Sequence, residues 1–214
     1  MRILIATPCM DMVATGFCQS LATLKKVGDC AVMHQAGSLV YDSRNAIAKR
    51  AIEMKADYVM WFDSDMIFAP DTLEKLVEDA EKKGCDIVSG LYFRRQGSYR
   101  PVLFKKLALK DDNNVDWEDY LDYPKNSLFE VKGIGFGCVL IKTDVLIEMA
   151  MECKDWFTPV AHAGEDLAFC LRAQQLGRKI WCDSSVKCGH VGHTIVTEEF
   201  YESFREFGRK EEQS

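Results

Sequence analysis

Short apolar runs alternate with amphipathic stretches over the first 93 residues of the chain. A run of four to eight apolar residues between polar ones is typical of a buried strand, whereas apolar residues at every third or fourth position are typical of a helix. The runs predict strands at 3–7, 30–34, 57–62 and 86–93, and the stripes predict helices at 15–26, 42–52 and 70–84. A chain that alternates strand and helix in this way forms a mostly parallel sheet with helices on both faces.

The alternation stops between residues 94 and 130, where the sequence is polar and aromatic and where Asp111-Asp112-Asn113-Asn114 predicts a loop. Apolar patterning then predicts a strand at 138–141, helices at 144–152 and 164–175, two short extended pieces at 179–182 and 185–188, and a charged amphipathic helix at 197–209. The sequence shows no internal repeat and no linker. It therefore predicts one domain over 1–214, with a first half at 1–93, a second half at 94–196 and a C-terminal helix at 197–214.

The composition is that of an ordinary globular protein, with 214 residues, 48% apolar and 28% charged. The formal net charge of −6 argues against a nucleic-acid binder, because such proteins usually present a basic face. No apolar run approaches the ~18 residues of a membrane span, and the N-terminal run is too short for a signal peptide. The nine cysteines are odd in number and lie mostly in apolar segments, which favours a reduced, cytoplasmic protein.

Two carboxylates follow the most apolar strand, since the run 58–62 leads directly into Asp63-Ser64-Asp65. In an extended chain this spacing points both side chains to the same side. The site would lie at the carboxyl end of a parallel strand, where α/β sheets bind ligands. A hard divalent cation relieves the repulsion between the two carboxylates and would bridge a diphosphate. The alternative is a polar turn after a buried strand, with Ser64 or Asp65 capping a local group.

Five segments together resemble landmarks of GT-A glycosyltransferases of the Asp-x-Asp, family-two-like type. They are Ser43-Arg44-Asn45-Ala46, the strand that ends in Asp63-Ser64-Asp65-Met66, Gly135-Phe136-Gly137-Cys138-Val139-Leu140-Ile141, Gly164-Glu165-Asp166-Leu167 and His190-Val191-Gly192. They occur in the family's order and span about residues 1–193. The resemblance implies a three-layer αβα, Rossmann-like GT-A fold with a mostly parallel mixed sheet. It also implies transfer of a hexosyl or related sugar from a UDP- or GDP-sugar to an acceptor hydroxyl, with Mn²⁺ or Mg²⁺ as cofactor.

The resemblance assigns the donor to residues 1–93. The implied donor-binding residues are Thr7, Pro8, Arg44, Asn45, Asp63 and Ser64. Arg44 and Asn45 are expected at the start of a helix, where free N–H groups suit a phosphate. For Thr7 a simple strand-to-helix turn remains open, and for Arg44 a solvated side chain. One of Arg94, Arg95 and Arg100 is a further candidate to meet the donor phosphates.

The resemblance makes Asp166, with Glu165 beside it, the base that removes the acceptor proton in an inverting reaction. The alternative is a helix N-terminus that carries acids because the helix dipole favours them. That dipole would also keep the carboxylate a weak base. If Asp166 were only structural, a retaining mechanism would become possible.

The third metal ligand, beside Asp63 and Asp65, is expected to be His190, because His-Val-Gly matches the family pattern; His193 is the reserve. Cys182 and Cys188 lie close by, so zinc held by these two cysteines and the two histidines is an alternative. Their spacing fits no standard zinc module. A histidine packed in a turn is the third possibility.

The acceptor is expected to meet the alternating glycines, Gly135 and Gly137, where the backbone can approach a sugar closely. No Lys-Ser or Lys-Thr pair follows these glycines, so they do not form a phosphate loop. Trp156 is a candidate to stack on the acceptor, as are Trp117 and Tyr120, although core packing is the commoner role of aromatic residues. A homo-oligomer is a possible way to complete the acceptor site.

Two other functions remain open from the sequence. A nucleotidyltransferase would carry a loop rich in glycine and lysine after its first strand, and residues 8–13 are Pro-Cys-Met-Asp-Met-Val instead. A non-catalytic module that binds zinc or a nucleotide is the other. The enzyme hypothesis fails if Asp63 and Asp65 face no cavity or are buried in ion pairs with lysine or arginine.

Overall fold

The computed structural model describes residues 1–110, 114–153, 155–192 and 194–211, with only the backbone of 207–211. The strands in this part of the chain are β1 (Arg2–Cys9), β2 (Asp29–Ala36), β3 (Tyr58–Phe62), β4 (Met66–Ile67), β5 (Ile87–Leu91), β6 (Leu103–Leu109), β7 (Val115–Asp119), β8 (Leu128–Val131), β9 (Gly133–Ile134), β10 (Cys138–Lys142), β11 (Ile180–Lys187), β12 (Gly189–Val191) and β13 (Ile195–Val196). The helices are α1 (Thr15–Thr23), α2 (Val40–Glu53), α3 (Thr72–Lys83), α4 (Thr143–Glu152), α5 (Glu165–Gln175) and α6 (Glu198–Glu211).

A seven-stranded sheet with the order β2-β1-β3-β10-β5-β11-β8 forms the centre of the molecule. Strands β2, β1 and β3 are parallel to one another, and β11 is parallel to β5. Strand β10 is antiparallel to both β3 and β5, and β8 is antiparallel to β11. Five of the seven strands therefore run in one direction. The predicted mostly parallel mixed sheet is confirmed.

Helices cover both faces of this sheet, because each buried strand sends alternate side chains to opposite sides. In β3, Val59 and Trp61 pack into one apolar core, whereas Met60 and Phe62 pack into the other. Helices α2, α4 and α5 contribute to the first core, and α1 and α3 to the second. These three layers are the αβα, Rossmann-like arrangement of the GT-A fold, as predicted.

The stretch between 94 and 130 is more regular than its sequence indicates. It forms β6 and β7, an antiparallel pair, and β8, which joins the edge of the central sheet. Strand β9 pairs with the other side of β6 to give a three-stranded sheet. The pattern was hard to recognise because an irregularity between Phe104 and Lys106 breaks the period of two. Most of the predicted loop at 111–114 lies outside the described residues.

Two predicted boundaries were wrong. Helix α2 begins at Val40 rather than at 42 or 43, and the Ser43 N–H already donates to Leu39 O at 3.2 Å. Arg44 therefore lies one turn inside the helix, so its amide is not a free donor for phosphate. The two extended pieces predicted at 179–182 and 185–188 form a single strand, β11.

The C-terminal helix packs against the segment of residues 94–100 and the end of the strand before it. Tyr201 stacks on Phe93, with ring centroids 5.0 Å apart. Tyr99 has a positive φ of 48° and lies edge-on between Phe200 and Phe204, at 5.0 Å from each. The aromatic side chains of α6 therefore pack against Phe93 and Tyr99. Among the described helices, none combines the length and the apolar character that a membrane crossing needs.

Candidate active site

A cavity of about 620 Å³ opens at the carboxyl ends of the three parallel strands β1, β2 and β3. Each strand delivers a short loop to its wall, as expected where ligands bind to α/β sheets. Helices α2 and α5 and strand β12 complete the wall. The lining residues are Pro8, Cys9, Met10, Gly37, Ser38, Leu39, Val40, Tyr41, Ser43, Arg44, Asp63, Ser64, Asp65, Arg95, Glu165 and His190.

Asp63 and Asp65 both line this cavity, on a tight turn between β3 and β4. The Met66 N–H donates to Asp63 O at 3.2 Å, and the Val191 N–H donates to Asp65 O at 2.9 Å. The expected extended geometry was therefore wrong. A turn, pinned by the neighbouring strand β12, brings the two carboxylates to the same cavity.

Arg44 forms ion pairs with both Asp63 and Glu165. Its Nη2 donates to Asp63 Oδ1 at 2.7 Å, and its Nε lies 3.5 Å from Glu165 Oε1. The guanidinium carbon lies 5.2 Å from the ring centre of Phe136 and 5.9 Å from those of Trp61 and Phe157. Only 3% of the Arg44 side chain is exposed, so the rings fix the guanidinium where cation–π contact and ion pairing reinforce one another. Arg44 is a positioned cation rather than a solvated one.

Asp65 faces a second arginine and a histidine. Arg95 Nη1 forms a close ion pair with Asp65 Oδ2, and His190 Nε2 lies 3.5 Å from the same oxygen. His190 Nδ1 lies 2.7 Å from Phe93 O, so Nδ1–H donates there and Nε2 faces Asp65. Against the effect of burial, Asp65 and the Phe93 carbonyl raise the pKa of His190. His190 and Arg95 lower the pKa of Asp65, again against burial.

The donor chemistry of Asp63, Asp65 and His190 fits a divalent cation, because two carboxylates and an imidazole suit Mn²⁺, with Mg²⁺ preferring the oxygens. The hydrogen bond from Nδ1 to a backbone carbonyl is the support that metal-binding histidines usually have. However, the described part of the chain holds no group of three His, Cys, Asp or Glu side chains in metal-binding proximity. Each aspartate pairs with an arginine instead, so metal binding would require new partners for these carboxylates. The reserve ligand, His193, lies outside the described residues.

The enzyme hypothesis requires that Asp63 and Asp65 face a cavity and that they are not buried in ion pairs with lysine or arginine. The first requirement is met, whereas ion pairs with arginine are present. Both face the cavity, yet both are in ion pairs with arginine. Neither carboxylate is sealed off by its pair, since the Asp63 side chain is 28% exposed and that of Asp65 is 21% exposed. The pairs therefore leave both aspartates accessible to a ligand.

Glu165 and Asp166 occupy the first turn of α5. Glu165 lines the cavity beside Arg44. Asp166 is not among the lining residues of the cavity, and its Oδ1 accepts the Leu167 N–H at 2.7 Å. Burial, followed by the charge of Glu165, raises the pKa of Asp166 to about 6. The expectation that the helix dipole would keep this carboxylate a weak base was wrong, because desolvation outweighs the N-terminal donors.

Thr7 and Asn45 are not among the lining residues of the cavity. Thr7 is buried, and its hydroxyl has no hydrogen-bond partner among the described residues, while Pro8 reaches the wall. Asn45 Oδ1 accepts the Phe157 N–H at 3.0 Å, and Nδ2 lies 3.5 Å from Thr158 Oγ1. Asn45 therefore fixes the segment that supplies one of the rings around Arg44.

The residues predicted to meet the acceptor have other roles in the structure. The space beside Gly135 and Gly137 is filled by Tyr92, whose ring a Cβ at either glycine would strike. The Gly137 N–H donates to the Tyr92 hydroxyl at 3.2 Å. Trp156 donates its indole N–H to Leu146 O at 2.8 Å and packs against the core. Close packing therefore explains these glycines, rather than approach to a sugar.

The alternative zinc site is not formed by its described members. Cys182 and Cys188 are buried, and burial raises the pKa of the Cys182 thiol well above its usual range. All nine cysteines lie in the described part of the chain and are free thiols. Together with the pairing of His190 to Asp65, this removes the geometric basis for zinc at this cluster.

The loop residues of the cavity wall were not predicted from the sequence. Cys9, Met10 and the segment 37–41 carry no catalytic residue type in a recognisable spacing. Of the three candidate arginines, Arg95 reaches the cavity, while Arg94 and Arg100 both pair with Asp119. Position at the end of a parallel strand was the one signal that could have pointed to these loops.

Comparison with known families identifies the class of protein. The profile of glycosyl transferase family 2 matches residues 18–146, more than half of the chain. The chain therefore belongs to glycosyl transferase family 2 and is a glycosyltransferase of the GT-A fold. This assignment decides against the nucleotidyltransferase and the non-catalytic module.

Solved structures share this fold. A197 from STIV is 24% identical, with a TM-score of 0.65 over 90% of this chain and 86% of that chain. GalNAc-T7, crystallised with UDP, GalNAc and Mn²⁺, is 11% identical, with a TM-score of 0.61 over 89% of this chain and 43% of that one. TarS 1–349 of S. aureus, in complex with UDP-GlcNAc, is 14% identical, with a TM-score of 0.51 over 81% of this chain and 53% of that one. No protein of curated function matches significantly in sequence.

Proposed function

We propose that this glycosyltransferase moves a hexosyl or related sugar from a UDP- or GDP-sugar to an acceptor hydroxyl in a single inverting displacement. Mn²⁺ or Mg²⁺ at Asp63, Asp65 and His190 would support the reaction, and Asp166 would be the base. The observation that carries this proposal is the cavity at the strand ends, which gathers carboxylates, arginines and a histidine from five parts of the chain.

The charge of the cavity supports a metal. Its wall holds three carboxylates, those of Asp63, Asp65 and Glu165, against the two guanidinium groups of Arg44 and Arg95. Both guanidinium groups are already in ion pairs with carboxylates of the same wall. A diphosphate would be repelled by such a wall unless a cation accompanied it. GalNAc-T7, crystallised with UDP, GalNAc and Mn²⁺, and TarS, in complex with UDP-GlcNAc, support a nucleotide-sugar and a metal for this chain.

The two arginines would orient the donor. Arg44 is fixed by its ring contacts and has a buried Nη1 without a hydrogen-bond partner among the described residues. Arg95 also lines the cavity, is 48% exposed and can turn from Asp65 to a phosphate oxygen. Charge-assisted hydrogen bonds from both sides would hold the diphosphate along the cavity. Pro8 and Ser64 lie on the wall where the nucleoside would rest.

Asp166 would receive the proton of the acceptor hydroxyl. As that O–H bond breaks, the acceptor oxygen forms a bond to the anomeric carbon, and the bond from this carbon to the diphosphate oxygen breaks. The nucleoside diphosphate leaves with the electron pair, and a bound divalent cation would stabilise its charge. The raised pKa of Asp166 suits this role, because a general base works best when its pKa approaches the working pH.

Donor binding tests the metal and the two aspartates. Isothermal titration calorimetry of UDP- and GDP-sugars is carried out in Mn²⁺, in Mg²⁺ or in EDTA. One of the two donor classes is expected to bind, and only when the metal is present. Asp63→Asn and Asp65→Asn should each weaken binding by about tenfold or more, since each removes a charged ligand. Asp71→Asn is the matched control, because Asp71 pairs with Lys75 on the surface. Equal affinity in EDTA, or wild-type affinity in both variants, would refute the metal site.

The stereochemistry is tested separately. Once an acceptor is found, proton NMR of the early product gives the anomeric configuration. Transfer from an α-linked donor should give a β-linked product, because one displacement inverts the anomeric centre. Retention of configuration would exclude Asp166 as the base of a single displacement.

A further inference from the structure

A second cavity, of about 380 Å³, lies against the β6–β7 hairpin and outside the donor cavity. It combines one exposed indole with charged side chains of both signs. Its lining residues are Arg100, Lys105, Trp117, Glu118, Asp119, Leu121 and Asp122. The donor chemistry proposed above uses none of these residues.

Trp117 gives this cavity a flat apolar wall. It lies on β7, at the edge of the three-stranded sheet, and is 48% exposed, whereas Trp61 is fully buried. An exposed indole inside a cavity is available for contact with a ligand. The C–H face of a pyranose ring packs well on an aromatic ring, while its hydroxyl groups remain free for hydrogen bonds at the rim.

Four of the five charged side chains of this cavity form two ion pairs, and the fifth, Asp122, leaves the cavity with a net negative charge. Arg100 Nη1 lies 3.0 Å from Asp119 Oδ2, and Lys105 Nζ lies 2.8 Å from Glu118 Oε1. An ionic ligand would have to break these pairs. A neutral ligand with many hydroxyl groups can donate to the carboxylates and accept from the cations without doing so. The cavity therefore suits an uncharged polyol, in contrast to the donor cavity.

A third cavity, of about 350 Å³, shares the lining residue Lys105 with the second. Its wall holds Tyr120, whose ring lies edge-on to Phe129 with centroids 5.6 Å apart. Lys105 thus lines one cavity together with an indole and the other together with a phenol. Two adjoining cavities with one aromatic residue each match a chain of sugars better than a single sugar.

The 94–100 segment connects these cavities to the donor site. Arg95 lines the donor cavity, and Arg100 lines the second cavity. The Arg94 N–H donates to Arg100 O at 2.9 Å, which closes the segment into a compact wall. This segment therefore contributes one arginine to each of the two cavities.

We propose that the second cavity, with Trp117, and the third cavity, with Tyr120, together bind a neutral oligosaccharide. This oligosaccharide is the glycan part of the acceptor. The assignment to the acceptor rests on the proposed function, whereas the binding of an oligosaccharide does not.

The test uses the whole chain and four probes: maltohexaose, cellohexaose, chitohexaose and mannohexaose. Titration calorimetry and tryptophan fluorescence, without donor or metal, are expected to show binding of at least one hexasaccharide. Trp117→Ala should weaken this binding about tenfold, and Trp117→Phe should weaken it less, because an aromatic face remains. Leu109→Ala is the control, since Leu109 is exposed on the same hairpin and lines neither cavity. Its affinity should equal that of the wild type.

The proposal is overturned if none of the four hexasaccharides binds, or if Trp117→Ala, with unchanged thermal stability, binds as tightly as the wild type. Asp63→Asn separates it from the donor site and should bind the hexasaccharide normally, because Asp63 pairs with Arg44 and not with the 94–100 segment. If the donor experiment fails while Trp117-dependent binding persists, the proposed function falls and the glycan site stands. In transfer assays, a raised acceptor KM with unchanged kcat in Trp117→Ala would support the acceptor assignment, and an unchanged acceptor KM would refute it.

Discussion

Asp166 links the electrostatics of a single residue to the pH dependence of the reaction. Burial and the neighbouring Glu165 raise the pKa of Asp166 from 3.8 to about 6. Because only the carboxylate accepts a proton, kcat/KM is expected to rise through pH 6 and then level off. Asp166→Asn should lower kcat by about a thousandfold and abolish this limb, while donor binding is kept. A rate profile between pH 5 and 8 checks this, and an unchanged profile in the variant would contradict the assignment.

The same shift also affects stability. The native state holds the Asp166 proton more tightly than the unfolded chain does, so this residue favours folding most at low pH. The advantage is lost as pH rises from about 4 to the native pKa of about 6. The effect on stability therefore has the opposite sign to the effect on activity: above pH 6 the charged, competent base is a cost to the fold.

At the scale of elements, helix α6 is anchored by a buried carboxylate at its start. Glu198, 6% exposed, accepts hydrogen bonds from Tyr123 at 2.8 Å and Lys125 at 2.5 Å, and pairs with Lys187 at 2.5 Å. Glu198→Ala should lower the free energy of unfolding by about 2 kcal/mol, because two lysines and a tyrosine lose a shared partner. Glu202, an exposed partner of the same Lys125, provides the control. Glu202→Ala should cost under about 0.5 kcal/mol in urea unfolding, and equal costs would contradict the anchoring role.

The elements also show what the sequence can and cannot predict. Asp63 was recognised because a continuous apolar strand precedes it. Its position at the carboxyl end of that strand follows from the strand alone. Strand β6 was missed because Lys105 and Lys106 are both exposed at an irregularity, which hides the alternation of a half-buried strand. Arg95 could not be told from Arg94, since side-chain direction within the 94–100 segment depends on contacts with α6. Local patterns thus predicted the sheet and its two aspartates, and tertiary packing determined the rest.

At the scale of the whole molecule, two apolar cores share one sheet. Met60 and Trp61 are neighbours in β3 yet belong to opposite cores, so neither core can lose its packing without disturbing the strand that carries the other. We therefore expect residues 1–214 to unfold in one cooperative transition, as a single domain. Scanning calorimetry should give a calorimetric enthalpy close to the van't Hoff value. Two resolved transitions would contradict this expectation.

The 94–100 segment lines two cavities: Arg95 lines the donor cavity, and Arg100 lines the cavity of Trp117. If nucleotide-sugar draws Arg95 away from Asp65, the movement reaches the mouth of the neighbouring cavity through a segment only a few residues long. Thermodynamic linkage then makes the effect reciprocal. If bound nucleotide-sugar changes the affinity for the glycan by some factor, bound glycan changes the affinity for the nucleotide-sugar by the same factor. The affinities of the two substrates would thus be coupled through one shared segment of backbone.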